Sequence, residues 1–79
     1  MNELLLELKK REVHMEISPN KYTNGLLIIF TKSIHYKAYI IDFESLADVN
    51  NDLLPIIYGY FVDFINYVYE KESKKGENN

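Results

Sequence analysis

The sequence predicts a single α+β domain in which two helices pack on one face of a three-stranded antiparallel sheet, in the order α-β-β-β-α. Apolar residues follow helical spacing near both ends of the chain, alternate with period two between them, and the alternating segments have short connections. The 79 residues are enough for one domain, and a 47% hydrophobic share is enough for a core. We expect this domain to span residues 1–72, with 73–79 as a disordered polar tail.

The first helix is expected from about Asn2 to Glu12. Asn2 is a favourable N-cap residue, and the acidic Glu3 suits the positive end of the helix dipole. Three leucines then share one face of this helix: Leu4, Leu5 and Leu8. A helix this short is marginal alone, so we expect it to pack on the sheet.

Three strands are expected at residues 13–18, 26–31 and 35–43. The first alternates apolar and polar residues, whereas the second is apolar on both faces and is therefore predicted to be central. Asn24-Gly25 is predicted to form a tight turn, because both residue types tolerate positive φ. The short connections predict an antiparallel meander in the order 1-2-3.

The second helix is expected to begin near Asp52 and to supply most of the core. Pro55 falls in its first turn, where the missing N–H costs little. Gly59 costs roughly 1 kcal/mol in a helix interior, so we expect it to lie in close contact with the sheet. Seven residues of this helix follow one apolar stripe: Leu54, Ile57, Tyr58, Phe61, Phe64, Ile65 and Val68.

Composition disfavours several classes of function. The net charge of -3 and the single arginine, Arg11, disfavour direct binding of nucleic acid. The absence of cysteine excludes disulfides and thiolate metal sites, and is typical of a reducing cytoplasm. No apolar run approaches the roughly 20 residues that cross a bilayer. We therefore expect a cytoplasmic protein with no membrane partner.

No catalytic, cofactor or metal site is predicted. His14 and His35 are expected to be solvent-facing on the outer strands, about 9–10 Å apart across a central strand that offers no ligand. The serines fall at turns or caps, and the three glycines are isolated. The chain therefore lacks a recognisable nucleophile with its base and a phosphate-binding loop. We expect a binding protein, not an enzyme.

Two surfaces are candidates for contact with a partner. Acidic residues cluster between the third strand and the second helix: Asp42, Glu44, Asp48 and Asp52. One interpretation is helix capping within a solvated loop, and the other is a patch that fits a basic groove on a partner protein.

The second candidate surface is apolar and aromatic. A stripe on the second helix lies away from its main apolar face: Ile56, Tyr60, Asp63 and Tyr67. The uncovered sheet face is expected to expose Leu27, Ile29, Tyr39 and Ile41. Exposed apolar patches mark interfaces, where tyrosine is favoured, so the predicted partner contacts here are Tyr39, Ile41, Tyr60 and Tyr67. The alternative is that the second helix is buried on more than one side.

The element order is similar to that of double-stranded RNA-binding domains. Such domains place a lysine cluster at the start of their second helix, where this chain has Asn50-Asn51-Asp52. An aspartate there would repel phosphate, so an RNA-binding module is the least favoured alternative.

The opening residues 1–5 (MNELL), the meander through Asn24-Gly25 and the closing helix resemble small phage and prophage accessory proteins. Over about residues 1–70, the chain resembles short acidic type II-A anti-CRISPR inhibitors in element order and length. That resemblance implies a protein of the bacterial cytoplasm that occupies the DNA-entry groove of a host defence nuclease, with the four acidic residues as contacts. The alternative is an assembly protein that self-associates through the open sheet or the Tyr60–Tyr67 stripe.

Overall fold

The structure, a computed structural model, describes residues 2–43 and 53–77, with the side chains of 3–43 and 53–73. The sheet order is β1-β2-β3, and both neighbouring pairs are antiparallel. The predicted α+β class and element order are thereby confirmed. In chain order the elements are α1 (Asn2–Lys10), β1 (His14–Pro19), β2 (Gly25–Lys32), β3 (His35–Asp42) and α2 (Leu53–Glu77).

A hydrogen-bonded cap ends α1 and directs the chain into the sheet. Glu12 has a φ of 58°, and its N–H donates to the Lys9 carbonyl at 3.2 Å. The Val13 N–H donates to the Leu8 carbonyl at 2.9 Å, which completes a Schellman motif. Leu8 and Val13 are both buried, so the cap also joins α1 to the core.

A two-residue loop connects β2 to β3. Lys32 pairs with His35, which leaves Ser33 and Ile34 as the loop. Ser33 has a φ of 56°, and a positive φ at the first loop residue alone is the pattern of a type II′ turn. This loop length sets the register of the whole β2–β3 pair.

Asn24 is the last residue of the β1–β2 loop and Gly25 is the first residue of β2, and neither residue has a positive φ. Gly25 is instead needed because another backbone approaches it closely. It pairs with Asp42, and a Cβ at Gly25 would lie 1.8 Å from the Ile41 carbonyl oxygen. The prediction of a tight turn at Asn24-Gly25 was therefore wrong, because Gly25 already belongs to β2 and is required there by the close approach of β3.

The core lies between the sheet and the two helices, which cover the same face. Phe30 of β2 is at its centre, with ring centroids 5.7 Å from Phe64 and 6.0 Å from Phe61. The buried apolar residues are Leu4, Leu8, Val13, Ile28, Phe30, Ile41, Ile57, Phe61, Phe64 and Val68. Four members of the predicted α2 stripe are among them.

The register corrects the predicted face of two β3 residues. Leu27 lies opposite Ile40, and Ile28 lies opposite Tyr39. Directly opposed residues share a face, so Tyr39 and Ile41 lie on the helix-covered side. Ile41 is only 2% exposed. The prediction that these two residues belong to the open face was wrong, because β2 is apolar on both faces and its pattern does not identify its partners.

In the structure α2 ends at Glu77, so the helix extends into the segment predicted as a disordered tail. Gly59 is exposed on this helix, and a Cβ there would meet no described atom within 4 Å beyond the helix's own backbone. The expected close contact between Gly59 and the sheet was therefore wrong. No helix in the described ranges is both long and apolar enough to span a membrane.

Candidate protein-binding surface

The sheet face opposite the helices, here called the open face, carries apolar side chains along β2 and β3. Tyr36 is 69% exposed and Ile40 is 55% exposed, while Leu27 and Ile29 are half-buried between their sheet neighbours. Ile34, in the hairpin loop, is also exposed. The residues of β2 and β3 on this face are Gly25, Leu27, Ile29, Thr31, Tyr36, Ala38, Ile40 and Asp42.

The β1 side of the open face is polar. Its residues are His14, Glu16 and Ser18, which lie opposite Thr31, Ile29 and Leu27. The His14 Nε2 and Glu16 Oε1 atoms are 3.5 Å apart, and both side chains are largely exposed. An apolar centre flanked by polar residues is the usual composition of a protein–protein interface.

A second group, here called the edge cluster, joins β3 to α2 at the outer edge of the sheet. Its residues are Lys37, Tyr39, Tyr60, Asp63 and Tyr67. The Tyr39 hydroxyl and the Lys37 Nζ both donate to Asp63 Oδ2, the latter at 2.9 Å. The Tyr39 and Tyr60 rings stack with centroids 4.6 Å apart, and the Lys37 Nζ lies 5.3 Å from the Tyr67 centroid.

The contacts within the edge cluster shift two pKa values. The hydrogen bond from Tyr39, and then that from Lys37, lower the pKa of Asp63 below its ordinary value. Burial, followed by the hydrogen bond to Asp63, raises the pKa of Tyr39 well above its ordinary value. Both shifts are explained by contacts that hold β3 to α2, so Asp63 and Tyr39 have a structural role here.

The structure brings three of the predicted partner contacts together. Tyr39, Tyr60 and Tyr67 all belong to the edge cluster, whereas Ile41 is part of the core. Lys37 was not predicted as a site residue, although its position two residues before Tyr39 places both on one strand face. Tyr36, Ala38 and Ile40, which do lie on the open face, were also missed.

Of the predicted acidic cluster, only Asp42 lies within the described residues. It is half-buried, and with residues 21–24 it lines a shallow pocket of about 460 Å³ that includes the oppositely charged Lys21. Glu44, Asp48 and Asp52 lie outside the described residues. The acidic patch therefore remains a prediction for those three positions.

Most of the basic residues near the end of α1 line a groove between α1 and α2. Two shallow pockets of about 240 and 280 Å³ meet there at Arg11 and Ile65. The Arg11 Nε is 3.1 Å from Glu7 Oε2, and the Lys32 Nζ donates to the Arg11 carbonyl. These cations make contacts within the fold, and the groove also contains Glu12 and Glu72. Mixed charge of this kind does not favour phosphate binding.

The two histidines point to opposite faces of the sheet. His14 lies opposite Thr31 on the open face, whereas His35 lies opposite Lys32 on the helix side. The His35 side chain is only 15% exposed, with its Nε2 3.7 Å from Glu72 Oε1, so the prediction of a solvent-facing His35 was wrong. Within the described ranges, no three His, Asp or Glu residues are grouped for a metal ion.

No family model, curated protein or solved structure matches this chain. The open face offers apolar side chains to a partner, whereas the contacts of the edge cluster are largely satisfied within the chain. The open face is the stronger candidate for binding a different protein.

Proposed function

We propose that this protein is non-enzymatic and binds another protein through the open face of its sheet. The observation that carries the proposal is the set of exposed apolar side chains, led by Tyr36 and Ile40, on a face that neither helix covers. Contiguous apolar surface is unfavourable in water and marks interaction sites on proteins.

The environment of the polar side chains supports binding in preference to catalysis. No described side chain that is polar or charged is buried. Catalytic groups are commonly tuned by burial in a cleft, and their pKa values are shifted there. Asp63 and Tyr39, whose pKa values are shifted, interact with each other beside α2, and these shifts follow from contacts that hold β3 to α2.

The experiment compares two double variants that introduce the same charge. Leu27→Lys/Ile29→Lys alters the open face, and Val62→Lys/Tyr69→Lys alters exposed apolar residues on α2. Each tagged protein, checked for folding by circular dichroism, is used to capture proteins from a lysate of the cells that carry the gene. The captured protein is then purified and its affinity for each variant is measured by calorimetry.

We expect the unaltered chain and the α2 variant to bind the same protein, and the open-face variant to bind it at least tenfold more weakly. Two lysines replace apolar contacts in that variant, and each loss of about 1.4 kcal/mol lowers the affinity tenfold. Equal binding by both variants, or no captured protein, would overturn the proposal.

The specific form that we favour is a phage or prophage protein that inhibits a host protein, with a defence nuclease as the partner. The acidic net charge and the α-β-β-β-α order support this form. An acidic surface can compete with DNA for a basic groove, because both use the same electrostatic attraction. The contacts would then include Asp42 and its acidic neighbours Glu44, Asp48 and Asp52.

This form is tested in a DNA-cleavage assay with a guide-loaded type II-A effector nuclease. Asp42→Lys/Asp48→Lys is compared with Glu3→Lys/Glu70→Lys, which changes the net charge equally at exposed helix positions. We expect inhibition by the unaltered chain and by the control, and at least a tenfold loss of potency for the acidic variant. Uninhibited cleavage at a large excess of the protein would exclude this nuclease while leaving the open-face experiment decisive for protein binding.

A further inference from the structure

We propose that two copies of this chain associate through the outer edge of β3, so that their sheets form one six-stranded antiparallel sheet around a two-fold axis. The occupant of this edge is a second copy of the chain. This association does not depend on the binding of a different protein, because the backbone edge of β3 pairs in the plane of the sheet and leaves the open face of both copies exposed.

The two edges of the sheet differ in how well they can accept another strand. An edge strand leaves half of its backbone N–H and C=O groups without a strand partner. The β1 edge has six residues, ends at Pro19 and carries the charged Glu16, which are features that discourage strand pairing. The β3 edge has eight residues and no proline. Its lysine, Lys37, is held by Asp63, and its other charged residue, Asp42, is the last residue of the strand. In the described part of the chain, β3 has no strand beyond it.

The position of α2 allows helices and strands to pair in the same dimer. Phe64 of α2 packs on Phe30 of β2, and Tyr60 packs on Tyr39 of β3, so the helix lies above the space between these strands. Strands in a sheet are about 4.8 Å apart, so a two-fold axis beside β3 would place the two α2 axes about 10 Å apart. Packed helices are about 8–10 Å apart, which agrees with this spacing.

The face of α2 that would meet the second helix carries suitable residues. Tyr60, Asp63 and Tyr67 point toward the β3 side, and tyrosine is favoured at interfaces. Gly59 lies beside them, exposed and without a neighbouring atom within 4 Å of its Cβ position outside its own helix. A glycine in an exposed helix interior costs roughly 1 kcal/mol, and a close approach by a second helix gives it a packing role.

The side chains of β3 favour one register. In antiparallel pairing centred on Ala38, Lys37 lies opposite Tyr39 of the partner subunit, and Tyr36 lies opposite Ile40 of the partner subunit. The first pair places no like charges opposite each other, and the second pair is apolar. A centre on Lys37 would oppose two lysines, and like charges directly opposite destabilise a sheet.

The size of the contact predicts a weak dimer. Eight residues of β3 extend about 27 Å, and the sheet and helix layers together are roughly 20 Å deep. The interface would bury on the order of 500 Å² on each copy, or about 1,000 Å² in total, which is at the lower limit of specific interfaces. We therefore expect a dissociation constant in the micromolar range.

The first experiment uses disulfide trapping, which is possible because the chain has no cysteine. In the proposed register the two Ala38 Cα atoms lie about 4.5–5.5 Å apart, within the range that a disulfide bridges. Ala38→Cys is compared with Ser18→Cys, which lies on the same face but on β1. We expect mild oxidation at micromolar concentration to cross-link most of the Ala38→Cys protein and little of the Ser18→Cys protein.

The second experiment measures association of the full chain by sedimentation over a concentration series. We expect the mass to rise from 9.4 kDa to twice that value. Ala38→Lys should weaken the dimer at least tenfold, whereas Ser18→Lys should not. Gly59→Gln should raise the melting temperature of the monomer, because it removes a helix glycine, and yet weaken the dimer, because it fills the space for the second helix.

Three results would each overturn the edge dimer: a monomer at millimolar concentration, equal cross-linking of the two cysteine variants, or a dimer that tolerates both Ala38→Lys and Gly59→Gln. No other protein is present in these measurements. Failure of the edge dimer is therefore distinguishable from failure of the open face to bind a partner.

Discussion

Gly25 and Gly59 both lie within regular secondary structure, but only Gly25 lacks the space for a side chain. At Gly25 the backbone of β3 occupies the place of a Cβ, since the Ile41 carbonyl oxygen would be 1.8 Å away. At Gly59 the same position is open solvent in the monomer. Identical substitutions at the two sites should therefore change stability in opposite directions.

Gly25→Ala should lower the free energy of unfolding by about 3 kcal/mol, because the β2 and β3 backbones must separate to admit the methyl group. Urea denaturation monitored by circular dichroism measures this loss. Tyr22→Ala, in the exposed loop before β2, is the control and should change the free energy of unfolding by less than about 0.5 kcal/mol, because the Tyr22 side chain is 91% exposed. Unaltered stability of Gly25→Ala would mean that β2 and β3 are not this close.

Gly59→Ala should raise the free energy of unfolding by about 1 kcal/mol, because alanine loses less backbone freedom than glycine in a helix. For a domain of this size the melting temperature should rise by about 4–8 °C. The measurement belongs at submicromolar protein, below the dissociation constant expected for the proposed edge dimer. A destabilised variant would contradict the open surroundings of Gly59.

The elements could be predicted from the sequence because their spacing is local. Phe61, Phe64 and Val68 are buried as the α2 stripe predicted, and β2 is central as its apolar pattern indicated. The face of Tyr39 and Ile41 could not be predicted in this way. β2 is apolar on both sides, so its pattern is compatible with either face of β3, and a shift of one residue exchanges the faces.

The candidate sites were predicted only in part for a related reason. The spacing along α2 grouped Tyr60, Asp63 and Tyr67 on one stripe, and the structure confirms that they lie together beside Tyr39. Lys37 joins them through a contact between residues 26 positions apart in the chain. Such a contact depends on how α2 crosses the sheet, which helical periodicity does not specify.

The edge cluster should make the β3–α2 contact sensitive to acid. The pKa of Asp63 is lowered in the folded chain, so its contribution is present above the ordinary pKa of aspartate, about 4, and is lost as the pH falls through the folded value. The Asp63 side chain is 53% exposed, so we expect Asp63→Asn to cost only about 1 kcal/mol at pH 7.

Urea denaturation at pH 7 and at pH 3 tests this dependence. The difference in unfolding free energy between the unaltered chain and Asp63→Asn should shrink at the lower pH, where Asp63 approaches its protonated form. Glu70→Gln removes a charge from an exposed position on the same helix and should show no such difference at either pH. A difference that is as large at pH 3 as at pH 7 would contradict the role of the carboxylate.

At the scale of the whole molecule, the two layers share one core, and α2 contributes the largest part of it. Ile57, Phe61, Phe64 and Val68 are buried on this helix, against two residues on α1. All of this packing is on one side of the sheet, so the open face contributes no buried core residue. Residues on the open face can therefore be substituted to fit a partner without loss of the core that maintains the fold.

The same arrangement makes the molecule dependent on a few aromatic contacts, and Phe64 tests this directly. Phe64 is fully buried, stacks on Phe30 and also contacts the Tyr67 ring. Removing a buried phenylalanine ring costs about 3–5 kcal/mol, while a domain of 79 residues is stable by only about 4–12 kcal/mol.

Phe64→Ala should therefore leave the chain partly or wholly unfolded at 37 °C. Tyr69→Ala on the same helix, where the ring is exposed, should remain folded. Thermal denaturation of both variants by circular dichroism decides the matter, and equal melting temperatures would mean that α2 does not supply the core.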